Sequence, residues 1–215
     1  MEKENMRCVI VGASKENYIE YINDVIRGTD YIIGVDAGIS KLNYLNIIPD
    51  LIVGDFDSFK GVAPKTIETK KLNVHKDDTD MFCAVKEGIN RGYSSFVILG
   101  GVGGRLDHTY ANLCVLEYLS DNGYENLLLG KKDKAFIMNK GKKTILGRDG
   151  DNISIFPFGT DLCTVTYNGL LYDMQNETLY SNLKYGPMGV SNSFLNNEAE
   201  VILHKGKALV VISSD

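Results

Sequence analysis

Short apolar runs rich in β-branched residues punctuate the first part of the chain. Cys8-Val9-Ile10-Val11, Tyr31-Ile32-Ile33-Gly34-Val35, Leu51-Ile52-Val53 and Phe96-Val97-Ile98-Leu99 each have the length and composition of a buried strand. Between them the periodicity changes. Ile19, Ile22 and Ile26 predict a covering helix over about Lys15–Arg27, and Ser40–Leu45 predicts a short helix that ends before Pro49. Met81, Ala84, Val85 and Gly88 fall at i, i+3, i+4 and i+7 of an amphipathic helix introduced by His75-Lys76-Asp77-Asp78-Thr79-Asp80. From His108 to Leu119 all but Asn112 and Glu117 are almost uniformly apolar or small, which predicts a mostly buried helix. Strand and helix alternate, the grammar of an α/β domain with a largely parallel sheet.

That grammar stops near Gly130–Gly141. Ile153-Ser154-Ile155-Phe156 follows an Asp149-Gly150 turn. Asn168-Gly169 and Lys205-Gly206 read as hairpin turns, the latter between Ala199–Leu203 and Ala208–Ile212. Short strands at this spacing predict a smaller all-β sandwich. The expected division is residues 1–138 and 139–215.

Composition narrows the classes. The chain has 215 residues, 24% charged and 44% hydrophobic, an ordinary balance for a soluble globular protein. Its formal net charge of −5, without a Lys/Arg cluster, gives no footing for nucleic acid. No apolar run is long enough to span a bilayer, and the polar start is not that of a signal peptide. Cys8, Cys83, Cys114 and Cys163 stand singly in apolar contexts, as buried free thiols of a reducing cytoplasm do.

The candidate chemistry sits where strands end. Gly12, Asp36, Asp55, Asp57 and the run Gly100-Gly101-Val102-Gly103-Gly104 each follow a different strand, and in an open parallel sheet the carboxyl ends share the ligand-binding edge. Asp55 and Asp57, at i and i+2 of an extended chain, project to one side, where a hard divalent cation relieves their repulsion. Either one alone has an alternative reading as a turn cap. Asp77 and Asp80 start a helix, where carboxylates are favoured in any case; they also supply the further acid that a two-carboxylate magnesium site lacks. Lys76 is as well suited to solvent as to a phosphate. The glycine run can cradle phosphate or admit a base or ribose, Arg105 offers a forked cation, and Asp107 is placed equally to cap the next helix.

Taken together, Val35-Asp36-Ala37-Gly38, Gly54-Asp55-Phe56-Asp57-Ser58, Lys76-Asp77-Asp78-Thr79-Asp80, Leu99 to His108 and Gly189-Val190-Ser191-Asn192 resemble the thiamine pyrophosphokinase family, in order and over nearly the whole chain. The resemblance implies a homodimer with active sites between subunits, and transfer of diphosphate from ATP to the thiamine hydroxyethyl group with release of AMP. Asp55, Asp57 and Asp80 are then the expected Mg2+ ligands. Asp36, Lys76, Thr79, Gly100, Gly101, Gly103, Gly104 and Arg105 would hold the nucleotide, and Asp77, Asp80, Arg105 and Asp107 would serve catalysis. Ser191 and Asn192, from the second subunit, should lie near thiamine, with Tyr172 offering an aromatic face where some relatives have tryptophan. At Ala37-Gly38-Ile39-Ser40 the chain departs from the family's more usual Gly-Gly-Ala-Asn. Two rival readings are a haloacid dehalogenase-type phosphatase with Asp55 as nucleophile, and a catalytically silent nucleotide sensor. The late position of the Asp-x-Asp pair argues against the first.

Overall fold

A computed structural model describes residues 6–14, 19–54, 67–72, 78–186 and 189–214. The chain divides into two compact units, one of residues 1–115 and 122–131, the other of 116–121 and 132–215.

The first unit is built on parallel strands. β1 (Arg7–Val11), β2 (Tyr31–Val35), β3 (Leu51–Gly54), β4 (Glu68–Lys71), β5 (Ser95–Leu99) and β6 (Glu125–Leu129) lie in the order β6-β5-β1-β2-β3-β4. Every pairing among them is parallel, with Cys8 opposite Tyr31 and Arg7 opposite Ser95. The apolar runs become strands because helices cover both faces, so alternation has no solvent side to serve. On one face Val9, Val11, Val97 and Leu99 pack with Ile22 of α1 (Ile19–Val25) and Leu42 of α2 (Gly38–Tyr44). On the other, α3 (Asp80–Asn90) lies against β1, β2 and β3. Gly88 permits that approach, since a Cβ there would stand 2.6 Å from the Phe96 ring and 2.9 Å from Cys8 Sγ.

Two expectations change here. β4 was not foreseen, because Glu-Thr-Lys-Lys is exposed throughout and carries no apolar signal. Within α4 (Leu106–Asp121) the stretch His108–Leu119 is not mostly buried: Tyr110 is 62% and Tyr118 38% exposed, while Asn112, a polar exception in the sequence, is buried.

The second unit is antiparallel. β7 (Asp133–Met138), β8 (Gly141–Leu146), β9 (Asn152–Pro157), β10 (Leu162–Asn168), β11 (Met174–Tyr180), β12 (Asn192–Ser193), β13 (Glu198–Lys205) and β14 (Ala208–Ser213) form two layers, β12-β9-β14-β7 and β11-β10-β13-β8. β9 faces β10 and β11 across the layers, and its buried and half-buried positions alternate. The Lys205-Gly206 turn is not a hairpin. β13 pairs with β10 and β8, whereas β14 pairs with β7 and β9, so the turn carries the chain from one layer to the other. Asn168-Gly169 does open a hairpin, since β10 and β11 pair antiparallel with Tyr167 opposite Met174, but its connection is longer than two residues because β11 begins only at Met174. Lys207 fixes the corner, its ammonium 2.8 Å from Glu117 and 2.7 Å from Asp121. Of the four thiols, Cys8 and Cys163 are buried and Cys83 and Cys114 partly so, and none forms a disulfide.

Candidate functional site

The strand order places a topological switch between β1 and β5: the chain moves outward from β1 through β2, β3 and β4, then returns to β1's other side. Crevices of open α/β sheets form at that point, outside the carboxyl ends. A cavity of about 640 Å³ lies there, lined by Gly12–Ser14 after β1, Val35 and Asp36 at the end of β2, Asp78–Met81 at the start of α3, and Gly100, Gly101, Gly103 and Gly104 after β5. Arg105, His108, Ala111 and Asn112 close it from the start of α4.

Its floor requires glycine. A Cβ on Gly100, whose φ is +70°, would meet Gly12 O at 2.4 Å, and one on Gly38 would meet Val11 O at 2.0 Å. The two loops are stapled together: Gly12 N donates to Leu99 O at 2.7 Å and Ser14 N to Gly100 O at 3.1 Å. Lys41 of α2 donates from Nζ to Gly12 O at 3.2 Å and also to Ser14 O. Asn112 donates from Nδ2 to Gly101 O at 2.7 Å. These bonds fix the two glycine-bearing loops against each other and against α2 and α4.

Carboxylates supply another wall. Asp36 occupies the left-handed region, φ 48°, and its Oδ1 lies so close over Gly54 that a Cβ there would stand 2.3 Å away. Thr79 caps α3, its side chain accepting from Phe82 N at 3.2 Å, so Asp80 falls in the first helical turn, where a negative charge is favoured. Asp78 pairs with Lys86. Among the described residues no group of three His, Cys, Asp or Glu is disposed to hold a metal. Asp36, Asp78 and Asp80 each line the cavity.

Arg105 and Asp107 face each other instead of the crevice floor. Arg105 Nε donates to Asp107 Oδ1 at 3.1 Å, and both side chains are largely exposed. The guanidinium holds the Asp107 carboxyl below its ordinary range. α4 begins at Leu106, so Asp107 belongs to its first turn and is not its cap.

The cavity therefore gathers Asp36, Thr79, Asp80, the four loop glycines and Arg105. Asp55, Asp57, Lys76 and Asp77 lie outside the described residues. Tyr172, Ser191 and Asn192 belong to the second unit, where Tyr172 and Asn192 are joined by hydrogen bonds and Ser191, φ 55°, donates from N to Ser154 Oγ at 3.0 Å. Ser14, Lys41 and Asn112 also belong to this site without a role expected from the sequence. Of these only Asn112 left a signal, a polar residue inside an apolar helical stretch; Asp78 stood within the Lys76–Asp80 motif with no role of its own.

Fold and site define an open parallel α/β unit with its crevice at the switch point, joined to an antiparallel two-layer unit. A family profile described as thiamin pyrophosphokinase, catalytic domain, matches residues 22–128, and a second, described as thiamin pyrophosphokinase, vitamin B1 binding domain, matches residues 139–207. The chain belongs to the thiamine pyrophosphokinase family. It is 27% identical over 214 residues to the thiamine pyrophosphokinase of Bacillus subtilis (strain 168), covering 96% of this chain and 98% of that protein. It is 26% identical over 175 residues to a thiamin pyrophosphokinase of Caenorhabditis elegans, covering 75% and 68% respectively. The crystal structure of the Bacillus subtilis thiamine pyrophosphokinase superposes with a TM-score of 0.87 at 23% identity, covering 98% of this chain and 100% of that one.

Proposed function

We propose that the protein is an ATP-dependent diphosphotransferase that moves the β,γ-diphosphate of MgATP to the hydroxyethyl oxygen of thiamine, giving thiamine diphosphate and AMP. The observation that carries this reading is the switch-point crevice, glycine-floored and lined by Asp36, Asp80 and Arg105, in a chain whose two halves match the family's two domains in order. In this reading residues 1–138 bind the nucleotide and residues 139–215 bind thiamine and dimerise, in a cytoplasmic homodimer. Leu171, Leu183, Tyr185, Val190 and Leu195, exposed in the second unit, support such an interface.

The thiamine oxygen attacks the β-phosphorus; the new O–P bond forms as the bond to the α-phosphate oxygen breaks, and AMP leaves. Gly100, Gly101, Gly103 and Gly104 let the phosphates approach the backbone, with Asp36, Lys76 and Thr79 completing the nucleotide side. Arg105 offsets charge growing between the α- and β-phosphates. Asp55, Asp57 and Asp80 are the residues assigned to Mg2+, which when bound supplies further charge neutralisation. The hydroxyl proton passes to a carboxylate of the set Asp77, Asp80 and Asp107. Arg105 favours the ionised form of Asp107, which weakens that carboxylate as a proton acceptor. Tyr172, Ser191 and Asn192 belong to the thiamine side.

Incubation with ATP, magnesium and thiamine, followed by chromatography, tests the reading. Equimolar AMP and thiamine diphosphate are expected, and little AMP from Asp57→Ala. Phosphate released from simple monoesters without AMP would point to the phosphatase, and nucleotide binding without turnover to the sensor.

A further inference from the structure

The side-chain amide of Asn192 is engaged at both its oxygen and its nitrogen within the second unit. Asn192 is 7% exposed. Its Oδ1 accepts from Tyr172 N at 3.0 Å and from Ser193 N at 2.9 Å, and its Nδ2 donates to Tyr172 O at 2.6 Å. An amide that meets both the N–H and the C=O of one residue mimics a strand partner. The neighbouring backbone continues the ladder. Leu171 N donates to Ser193 O at 2.8 Å, Leu170 bridges Phe194, and Leu195 N donates to Gly169 O at 3.3 Å. The loop between β10 and β11 is thereby zipped along residues 192–195. Tyr172, at its tip, is 64% exposed.

We infer that Asn192 is a positioning residue: it fixes the backbone of Tyr172 so that the exposed ring is presented as a rigid face, and it does not itself contact thiamine. The inference rests on the proposed function for its ligand but on the second unit alone for its geometry. A loop tip ordered in advance spares a ligand the entropy of ordering it, so the Asn192 amide contributes to affinity through the ring it holds.

The chain contains no tryptophan, so Tyr172→Trp introduces a single fluorescent reporter. In that background, and without thiamine, Asn192→Ala should lower the reporter's anisotropy and raise its acrylamide quenching about twofold. In the otherwise native chain Asn192→Ala should raise the KM for thiamine about tenfold, with kcat and the KM for ATP changed less than about twofold. Combined with Tyr172→Ala it should add less than about twofold, because the route through the ring is already gone. Hydrogen exchange on the unmodified protein gives an arm that needs no variant: the Tyr172 amide should be protected. A fully additive loss of thiamine affinity, an unmoved reporter or an unprotected Tyr172 amide would overturn the inference. A wild-type protein that yields no AMP would defeat the proposed function and leave the reporter and exchange measurements to decide this one.

Discussion

Asp80 serves two physical ends from one position. Its charge suits the first turn of α3, and it lines the cavity. The two contributions differ in size: a carboxylate near an exposed helix start contributes about 0.5 kcal/mol, whereas loss of a charge-stabilising group at a reacting centre costs about a hundredfold or more in rate. Asp80→Asn should therefore cut AMP formation by about that factor while moving the melting temperature by only about 2 °C; a large fall in melting temperature with activity retained would assign Asp80 to structure. Arg105 and Asp107 make a prediction in pH. Because the folded value of Asp107 is depressed, its small exposed contribution is present at neutral pH and fades as pH falls through that depressed value. Arg105→Gln should return the Asp107 carboxyl resonance to ordinary aspartate titration, and an unchanged titration would refute the pairing. Burial raises the Cys8 thiol and pushes Cys163 up to about 11. At pH 8 both should resist iodoacetamide in the native state and react after denaturation, as read by peptide mass spectrometry. The glycines and Asp80 were legible as candidates from their positions after a strand and at a helix start, although for Asp80 the helix start alone would have been reason enough. Lys41 was not legible: a lysine on a short helix looks solvated until the fold brings Gly12 O and Ser14 O to it.

Among the elements, those buried on both sides announced themselves. β1, β2, β3 and β5 follow their apolar runs closely because no solvent face interrupts the pattern. β4 shows the converse, a strand specified by its pairing with β3 and not by its own side chains. Its charged, lysine-bearing edge is the kind that discourages further strand addition. The turn dipeptides marked where the chain bends but not which layer receives the next strand, and so Lys205-Gly206 was read as a hairpin. At the cavity floor the loop after β5 carries the heaviest steric demand. Gly100→Ala would combine a disfavoured φ with a 2.4 Å approach to Gly12 O. It should cost about 3 kcal/mol in urea unfolding; a loss below about 1 kcal/mol would show that the two loops separate easily.

For the whole molecule, the division into an α/β unit and an antiparallel unit was legible from the change in periodicity alone. Assembly was not, because strand register decides which apolar side chains remain outside. If the exposed set around Leu171, Leu183 and Leu195 is covered by a second copy, sedimentation should give twice the chain mass, and the melting temperature should climb with protein concentration. A monomer at micromolar concentration would remove the homodimer from the proposal. The crossing at Gly206 has one more result, felt during synthesis. β14 is the central partner of both β7 and β9, yet it follows them in the chain. On the ribosome, β9 and the edge of β7 that faces β14 must wait until their shared neighbour emerges, so the closing of this layer depends on pairings between segments far apart in the chain.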